Sequence, residues 1–128
     1  MKKAVSRGMF STRNQELALL LQKNPGDRRI TSELFDSSDI DSNQAIDLFI
    51  YGHSRWHRRV FPLIRRFAQQ GCYAPAEFEL MIKFQPDYME DLLDLMDAST
   101  SGRATQEVHQ RAICLRNFAS KNPVPVAV

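Results

Sequence analysis

Two histidines four residues apart, His53 and His57, are the first side chains in the sequence whose spacing suggests chemistry. Residues at i and i+4 share one face of a helix, which is how paired zinc ligands are arranged, with Cys72 or a carboxylate as a conceivable third ligand. The segment lacks the glutamate of the H-E-x-x-H pattern, and neighbouring arginines oppose a bound cation. We therefore expect surface histidines and no metal site.

The segment 52–56 reads G-H-S-R-W and partly matches the G-x-S-x-G turn that exposes the nucleophile of serine hydrolases. Trp56 takes the place of the second glycine, and no strand precedes the segment. The pattern therefore favours Ser54 as the N-cap of the helix that follows, and not as a nucleophile.

The two cysteines, Cys72 and Cys114, are the remaining candidates for covalent chemistry. Cys72 could act as a nucleophile with His109 as its base, but no spacing in the sequence brings these two residues together. Cys114 lies at the edge of an apolar helical stripe and is predicted to be buried. With no glycine-rich phosphate loop or dinucleotide fingerprint in the chain, we expect no enzyme activity. We assign no catalytic residue, cofactor, metal or small-molecule substrate.

Five arginines fall on one side of a predicted helix, opposite Trp56 and Phe67. This arginine face comprises Arg55, Arg58, Arg59, Arg65 and Arg66. Arginine binds phosphate and carboxylate oxygens with paired N–H groups, so the face suits nucleic acid, anionic lipid or an acidic protein. The simpler alternative is the solvated side of an amphipathic helix, with the acidic helix at 87–97 as an internal partner.

Five carboxylates form an acidic face on the outer side of a helix predicted over 87–98: Asp87, Glu90, Asp91, Asp94 and Asp97. Oxygen-rich clusters can bind divalent cations, but calcium loops follow D-x-[DN]-x-[DN]-G, and nothing here matches that pattern. The spacing instead indicates a solvated face or a docking surface for a basic partner.

Residues 15–35 predict a helix, a turn at 24–27 and a second helix that opens with Arg28 and Arg29, which is the order of a helix-turn-helix DNA reader. The second helix is short, and it also presents Glu33 and Asp36, which phosphates would repel. Nucleic-acid binding through the arginine face, helped by Arg28, Arg29 and the basic N-terminus, is therefore kept as the alternative function.

The elements that carry these residues are all predicted to be helices. Apolar residues recur at intervals of three and four over 13–23, 42–51, 53–70, 75–84, 87–98 and 105–120, with a shorter candidate at 28–35. Pro62 lies inside one of these segments, so a kink or break is expected near Val60 and Phe61. The fold class is all-α, a compact single-domain bundle of five to six short amphipathic helices.

Three regions follow from this pattern. Residues 1–11 are predicted to be a basic flexible tail, 12–120 the helical domain and 121–128 an extended tail containing Pro123 and Pro125. The domain starts at Thr12, whose spacing to Gln15 is that of a capping box, and Asp41 with Gln44 predicts another at the start of the helix over 42–51. Pro75 is predicted in the first turn of its helix. The helix over 87–98 is predicted to turn an apolar row inward, comprising Met89, Leu92, Leu93 and Met96.

Composition places the chain among ordinary soluble domains. It has 128 residues, 43% of them hydrophobic and 25% charged, unlike a disordered chain. No apolar run approaches the roughly 18 residues of a membrane span, and the N-terminus lacks the apolar stretch of a secretory signal. Two widely spaced cysteines do not suggest a disulfide scaffold. We therefore expect a cytoplasmic protein with reduced thiols.

The net charge of +2 conceals strong zoning, with +5 over residues 1–30, −5 over 31–50, +5 over 51–71, −6 over 72–98 and +3 over 99–128. This pattern favours a non-enzymatic intracellular protein–protein interaction module, such as an adaptor, chaperone-like or regulatory subunit. It would dock another protein, or a second copy of itself, through the arginine face, the acidic face, Trp56 and Tyr51. Arginine and aromatic residues dominate binding energy at interfaces.

Overall fold

The structure, a computed structural model, describes the backbone of residues 2–121 and the side chains of residues 13–116. Its helices are α1 (Lys2–Lys23), α2 (Arg28–Phe35), α3 (Ser42–Tyr51), α4 (His57–Gln69), α5 (Pro75–Phe84), α6 (Met89–Ser99) and α7 (Arg103–Lys121), with 3-10 turns at Ser54–Trp56 and Pro86–Tyr88. No strand occurs over residues 2–121, so the all-α prediction is confirmed. The predicted number of five to six helices is wrong, because these residues form seven.

The eight residues of α2 show why the helix count was too low. An isolated helix of this length is unstable in water. Here the Asp27 carboxylate accepts a hydrogen bond from the Ile30 amide at 3.0 Å, and the Thr31 hydroxyl donates to the Asp27 carbonyl at 2.6 Å. Thr31 and Leu34 are fully buried. Capping and tertiary burial together stabilise a helix that its length alone does not support.

The chain divides into two compact units, Met1–Phe67 and Ala68–Val128. In the first unit, α1, α2 and α3 pack on one another around fully buried side chains, among them Leu21, Leu34, Leu48 and Phe49. Burying one such side chain contributes roughly 1.5–3 kcal/mol, so this core holds the short helices in place. The single helical domain over 12–120 stays a prediction.

Helix α4 passes through Pro62 without interruption. Of the predicted kink or break near Val60 and Phe61, the break is therefore absent and the kink stays a prediction. Both of these residues are buried. Proline removes one N–H, so the carbonyl of Arg58 four residues earlier loses its helical partner. Arg58 and Pro62 are both exposed, so that carbonyl lies on the side of the helix that water can reach.

In the second unit, α5, α6 and α7 pack together around Phe78, Met81, Leu92 and Met96, all fully buried. Pro75 occupies the first turn of α5, as predicted. Pro86 opens a 3-10 turn and α6 begins only at Met89, so the predicted helix start at Asp87 is wrong. Short 3-10 turns are frequent at the N-terminal ends of α-helices, and proline is favoured at the first position because it lacks an N–H that would need a partner there.

Two predicted boundaries, the helix start near Thr12 and the tail over 121–128, lie at the ends of the chain. The backbone of α1 begins at Lys2, so the helix start predicted near Thr12 is wrong. Serine and threonine lower helix propensity by less than about 1 kcal/mol each, so they do not by themselves stop a helix. The extended tail predicted over 121–128 lies, from residue 122 onward, outside the described residues. Every helix within the described part of the chain is too short or too polar to cross a membrane.

Candidate functional site

The arginine face lies wholly in the first unit, and all five of its residues are exposed. Arg55 belongs to the 3-10 turn Ser54–Trp56 and the other four to α4. The opposite side of α4 is anchored by Val60 and Ile64, both fully buried. The amphipathic sequence therefore fixes the arginines on the outer side of the helix. Their role in binding stays a prediction.

None of these five arginines forms an ion pair with a described carboxylate of its own unit. Two of them pack against aromatic rings instead. The guanidinium carbon of Arg65 lies 5.2 Å from the centre of the Phe61 ring, and that of Arg66 lies 5.6 Å from the Phe67 ring. Cation–π contacts of this kind orient a guanidinium while leaving its N–H groups available to an acceptor.

A pocket of about 250 Å³ lies between α4 and the loop 36–41, and it is lined by Arg59, Arg66, Ser37, Ser38 and the apolar side chains of Phe35, Ile40, Pro62 and Leu63. We call it the arginine pocket. Its other α4 residues lie three, four and seven positions after Arg59, so they form one stripe along the helix. The sequence identified Arg59 and Arg66 as site residues but missed the serines, because residue spacing does not show which loop faces a helix.

Internal hydrogen bonds order the loop beside this pocket. The Asp39 carboxylate accepts hydrogen bonds from the Ser37 hydroxyl at 2.6 Å and from the side-chain amide of Asn14 at 3.0 Å. These bonds, that of Ser37 first, lower the pKa of Asp39 from its ordinary value. Asp41 accepts from the Gln44 amide at 2.8 Å, and Gln44 accepts from the Asp41 amide at 3.1 Å. The predicted capping box at Asp41 is therefore confirmed.

Both candidate metal-binding histidines make hydrogen bonds within the fold. The Nδ1 atom of His53 accepts from the Arg55 amide at 3.0 Å, so His53 and not Ser54 caps the turn. The Nε2 atom of His57 lies 3.0 Å from the Gly52 carbonyl oxygen, and its ring meets the Phe49 ring edge-on. In the described part of the chain, no three His, Cys, Asp or Glu residues gather to hold a metal ion.

The predicted aromatic contact residues lie near the start of the arginine face. Trp56 and Tyr51 are both half-buried. The Trp56 ring packs edge-on against His53, with the ring centres 5.7 Å apart. The Tyr51 carbonyl accepts a hydrogen bond from the Gly26 amide at 2.8 Å. Each residue is anchored by the fold and still presents part of its surface to solvent.

The acidic face belongs to the second unit, and its five residues are exposed. Two of its carboxylates have basic neighbours in that unit. An Asp97 oxygen lies 2.7 Å from Nε2 of His109, and a Glu90 oxygen lies 3.6 Å from a guanidinium nitrogen of Arg116. Part of the acidic face is therefore neutralised locally.

A second concavity, of about 520 Å³, lies between α5 and α7 and is lined by Glu79, Lys83, Arg111, Cys114 and Leu115. Arg111 donates two hydrogen bonds to Glu79, at 2.5 and 3.0 Å. The prediction that Cys114 is buried is wrong, since it is exposed. The consecutive apolar residues Ile113, Cys114 and Leu115 cannot all face one side of a helix, and that pattern was the available signal.

Cys72 and His109, the candidate nucleophile and its base, each contact a different residue. The Cys72 sulfur lies 4.0 Å from the side-chain oxygen of Gln70, while His109 is bonded to Asp97. Neither contact forms a nucleophile–base pair.

Comparisons with protein-family models, curated proteins and solved structures found no match to this chain. The candidate site is therefore defined by the contacts and charges of its own residues.

Proposed function

We propose that this chain is a non-enzymatic interaction module that binds an acidic partner protein through the arginine face. The observation that supports this function is a row of five exposed guanidiniums without a carboxylate partner in their own unit. A fold gains little from leaving such groups unpaired, whereas an incoming carboxylate-rich surface can use all of them.

The charge of the first unit supports an acidic partner. Residues 1–67 contain 12 Lys and Arg against 7 Asp and Glu, a net charge of +5. The arginine face supplies five of those positive charges on one exposed side. Fields of this kind accelerate the encounter with an oppositely charged protein and help select it.

Aromatic and apolar groups near the arginines supply the apolar contact area that charged groups alone do not provide. Trp56 and Tyr51 are half-buried, and Pro62 and Leu63 lie between the arginines of α4. Interface energy concentrates in Trp, Tyr and Arg residues that are desolvated on binding. The surface therefore combines an apolar centre with charged surroundings, as protein interfaces do.

Nucleic acid is the second candidate ligand, favoured by the absence of any acidic residue over 51–71. Helix α2 adds little to this function. Its Glu33 engages Arg13 in an ion pair at 2.7 Å, which takes that arginine away from a phosphate, and the exposed Asp36 at its end repels one.

The test is capture from a host lysate with and without nuclease, using the full chain and two triple variants. The first, Arg55→Gln/Arg58→Gln/Arg65→Gln, removes three charges from the arginine face. The matched control, Lys23→Gln/Arg28→Gln/Arg29→Gln, removes three exposed charges elsewhere in the same unit. We expect a stoichiometric protein that resists nuclease, is lost with the first variant and is retained by the control. Equal retention by both variants would contradict the proposal, and loss on nuclease treatment would favour nucleic acid.

A further inference from the structure

The arginine pocket contains donors that the fold does not use. Arg59 and Arg66 make no ion pair or hydrogen bond with the described residues of their unit, and neither does the Ser38 hydroxyl. By contrast, the Ser37 hydroxyl is bonded to Asp39. Two guanidiniums and one hydroxyl are thus available around a single small cavity.

The spacing of these donors suits one acceptor-rich group. Arg59 and Arg66 are seven residues apart, which is about 10.5 Å along the helix axis, or two turns. Their long side chains can converge on a group between them, above Pro62 and Leu63, while Ser38 approaches from the loop. One arginine satisfies both oxygens of a carboxylate. A phosphomonoester, with three oxygens and a charge of about −1.5 to −2, can bind both arginines and the hydroxyl.

The size and walls of the pocket indicate what carries the phosphate. Its volume of about 250 Å³ is below the roughly 300–1,000 Å³ of sites that enclose a small molecule. A single side chain of a partner fits this volume better than a whole cofactor does. Phe35 and Ile40 add apolar surface beside the charged residues, which favours an apolar residue next to the phosphorylated one.

The acidic residues of the adjoining loop do not fill the pocket. None of Asp36, Asp39 and Asp41 lines it. The Asp39 carboxylate accepts a hydrogen bond from the Asn14 side chain, and the Asp41 carboxylate accepts one from the Gln44 backbone amide. No carboxylate of this loop forms an ion pair with Arg59 or Arg66, so both guanidiniums remain available to a ligand.

We infer that the arginine pocket binds a phosphorylated serine or threonine side chain of the partner protein, with an apolar residue beside it packed on Phe35 and Ile40. This inference rests on the proposed function, because it names the group by which the partner is recognised. Neither the arginines nor the serines require rearrangement of a helix for this contact.

The experiment is an NMR titration of the full chain with short synthetic peptides. The first contains phosphoserine followed by leucine, the second has glutamate in place of phosphoserine, and the third has glycine in place of leucine. Inorganic phosphate is the free-ion probe. We expect the first peptide to bind about tenfold more tightly than the second peptide and inorganic phosphate, since the phosphate engages both arginines. It should also bind more tightly than the third peptide, which lacks the side chain that packs on Phe35 and Ile40, and equal binding of these two would contradict the apolar contact. The shifts should concentrate on the Ser37 and Ser38 amides and on Nε of Arg59 and Arg66.

Variants locate the binding. Arg59→Gln/Arg66→Gln should abolish it, whereas Lys23→Gln/Arg28→Gln removes the same charge from exposed residues of the same unit outside the arginine face and should preserve it. Ser38→Asp places a negative charge in the pocket without touching the arginines and should also abolish binding. Ser38 is exposed, so this variant should fold normally.

Three outcomes would overturn the inference: inorganic phosphate binding as tightly as the first peptide, the glutamate peptide binding equally well, or both double variants losing affinity to the same degree. Failure here is separable from failure of the proposed function. If the lysate partner is lost with the arginine-face variant but no phosphopeptide binds, the proposed function stands and the pocket assignment is wrong.

Discussion

The arginine face of the first unit and the arginines of the second unit differ in their partners. In the second unit, Arg103, Arg111 and Arg116 each form an ion pair with a glutamate, namely Glu107, Glu79 and Glu90. In the first unit, Arg13 pairs with Glu33, but the arginine face has no such partner among the described carboxylates of that unit. The same residue type is therefore paired within the fold in the second unit and remains available for binding in the arginine face.

The net charges of the two units also differ, and they have opposite signs. Residues 68–128 contain 5 Lys and Arg against 8 Asp and Glu, a net charge of −3, against +5 for residues 1–67. Exposed ion pairs contribute little individually. The Arg111–Glu79 pair differs, because Glu79 is half-buried and accepts two hydrogen bonds, so this pair is expected to contribute to stability. Unpaired charge in the first unit is where binding is expected.

The largest expected effect on stability comes from replacing a large buried side chain in the core of either unit. Phe49→Ala in the first unit and Phe78→Ala in the second should each lower the free energy of unfolding by about 3–5 kcal/mol, because both rings are fully buried. Trp56 is the only tryptophan, so its fluorescence reports the first unit while circular dichroism reports all helices. The predicted single domain requires that Phe78→Ala shift both denaturation curves equally. A shift seen only by circular dichroism would show that the units unfold separately.

Charge reversal on the arginine face should weaken partner binding strongly. Arg58→Glu/Arg65→Glu should reduce affinity for the captured partner by about 30- to 100-fold through like-charge repulsion, with little change in Tm. Arg111→Glu should do the opposite, lowering Tm through repulsion of Glu79 and leaving affinity unchanged. Titration calorimetry and thermal melts separate the two effects, and equal loss of affinity in both variants would remove the distinction between the units.

The Glu79 pair should make the second unit sensitive to acid. The hydrogen bonds from Arg111 lower the pKa of Glu79 below its ordinary value of 4.5. A carboxyl with a lowered folded-state pKa stabilises the fold above its unfolded-state pKa, and this contribution is lost as pH falls through the folded-state value. Glu79→Gln should therefore lower Tm at pH 7, and the difference should disappear in strong acid. A difference that persists at pH 2 would indicate a packing effect.

A half-buried carboxylate in the first unit should show the reverse pH dependence. Burial raises the pKa of Asp47 above its ordinary value of 3.8, despite a hydrogen bond from Gln22 at 3.3 Å. Its ionisation opposes folding, so stability should decrease as pH rises from 3.8 through the folded-state pKa. Asp47→Asn keeps an oxygen acceptor for Gln22 and should raise Tm slightly at pH 7 but not below pH 3. No gain at pH 7 would contradict the assignment.

Local sequence signals predicted much of the helical structure. The capping box at Asp41, the first-turn proline of α5 and the inward row of α6 are confirmed, because each depends on residues within a few positions of one another. The exposed position of Cys114 was missed, because it depends on which side of a helix meets the rest of the unit.

The helical class of the described residues and the common outer side of the arginine face follow from the sequence pattern alone. Helical periodicity is local, and amphipathic spacing decides which side of a helix is polar. The position of the loop 36–41 beside α4 depends instead on tertiary packing, which brings Ser37 and Ser38 next to Arg59 and Arg66 around one pocket. That contact joins residues more than twenty positions apart, and it follows from the shape of the buried core, which no local pattern encodes.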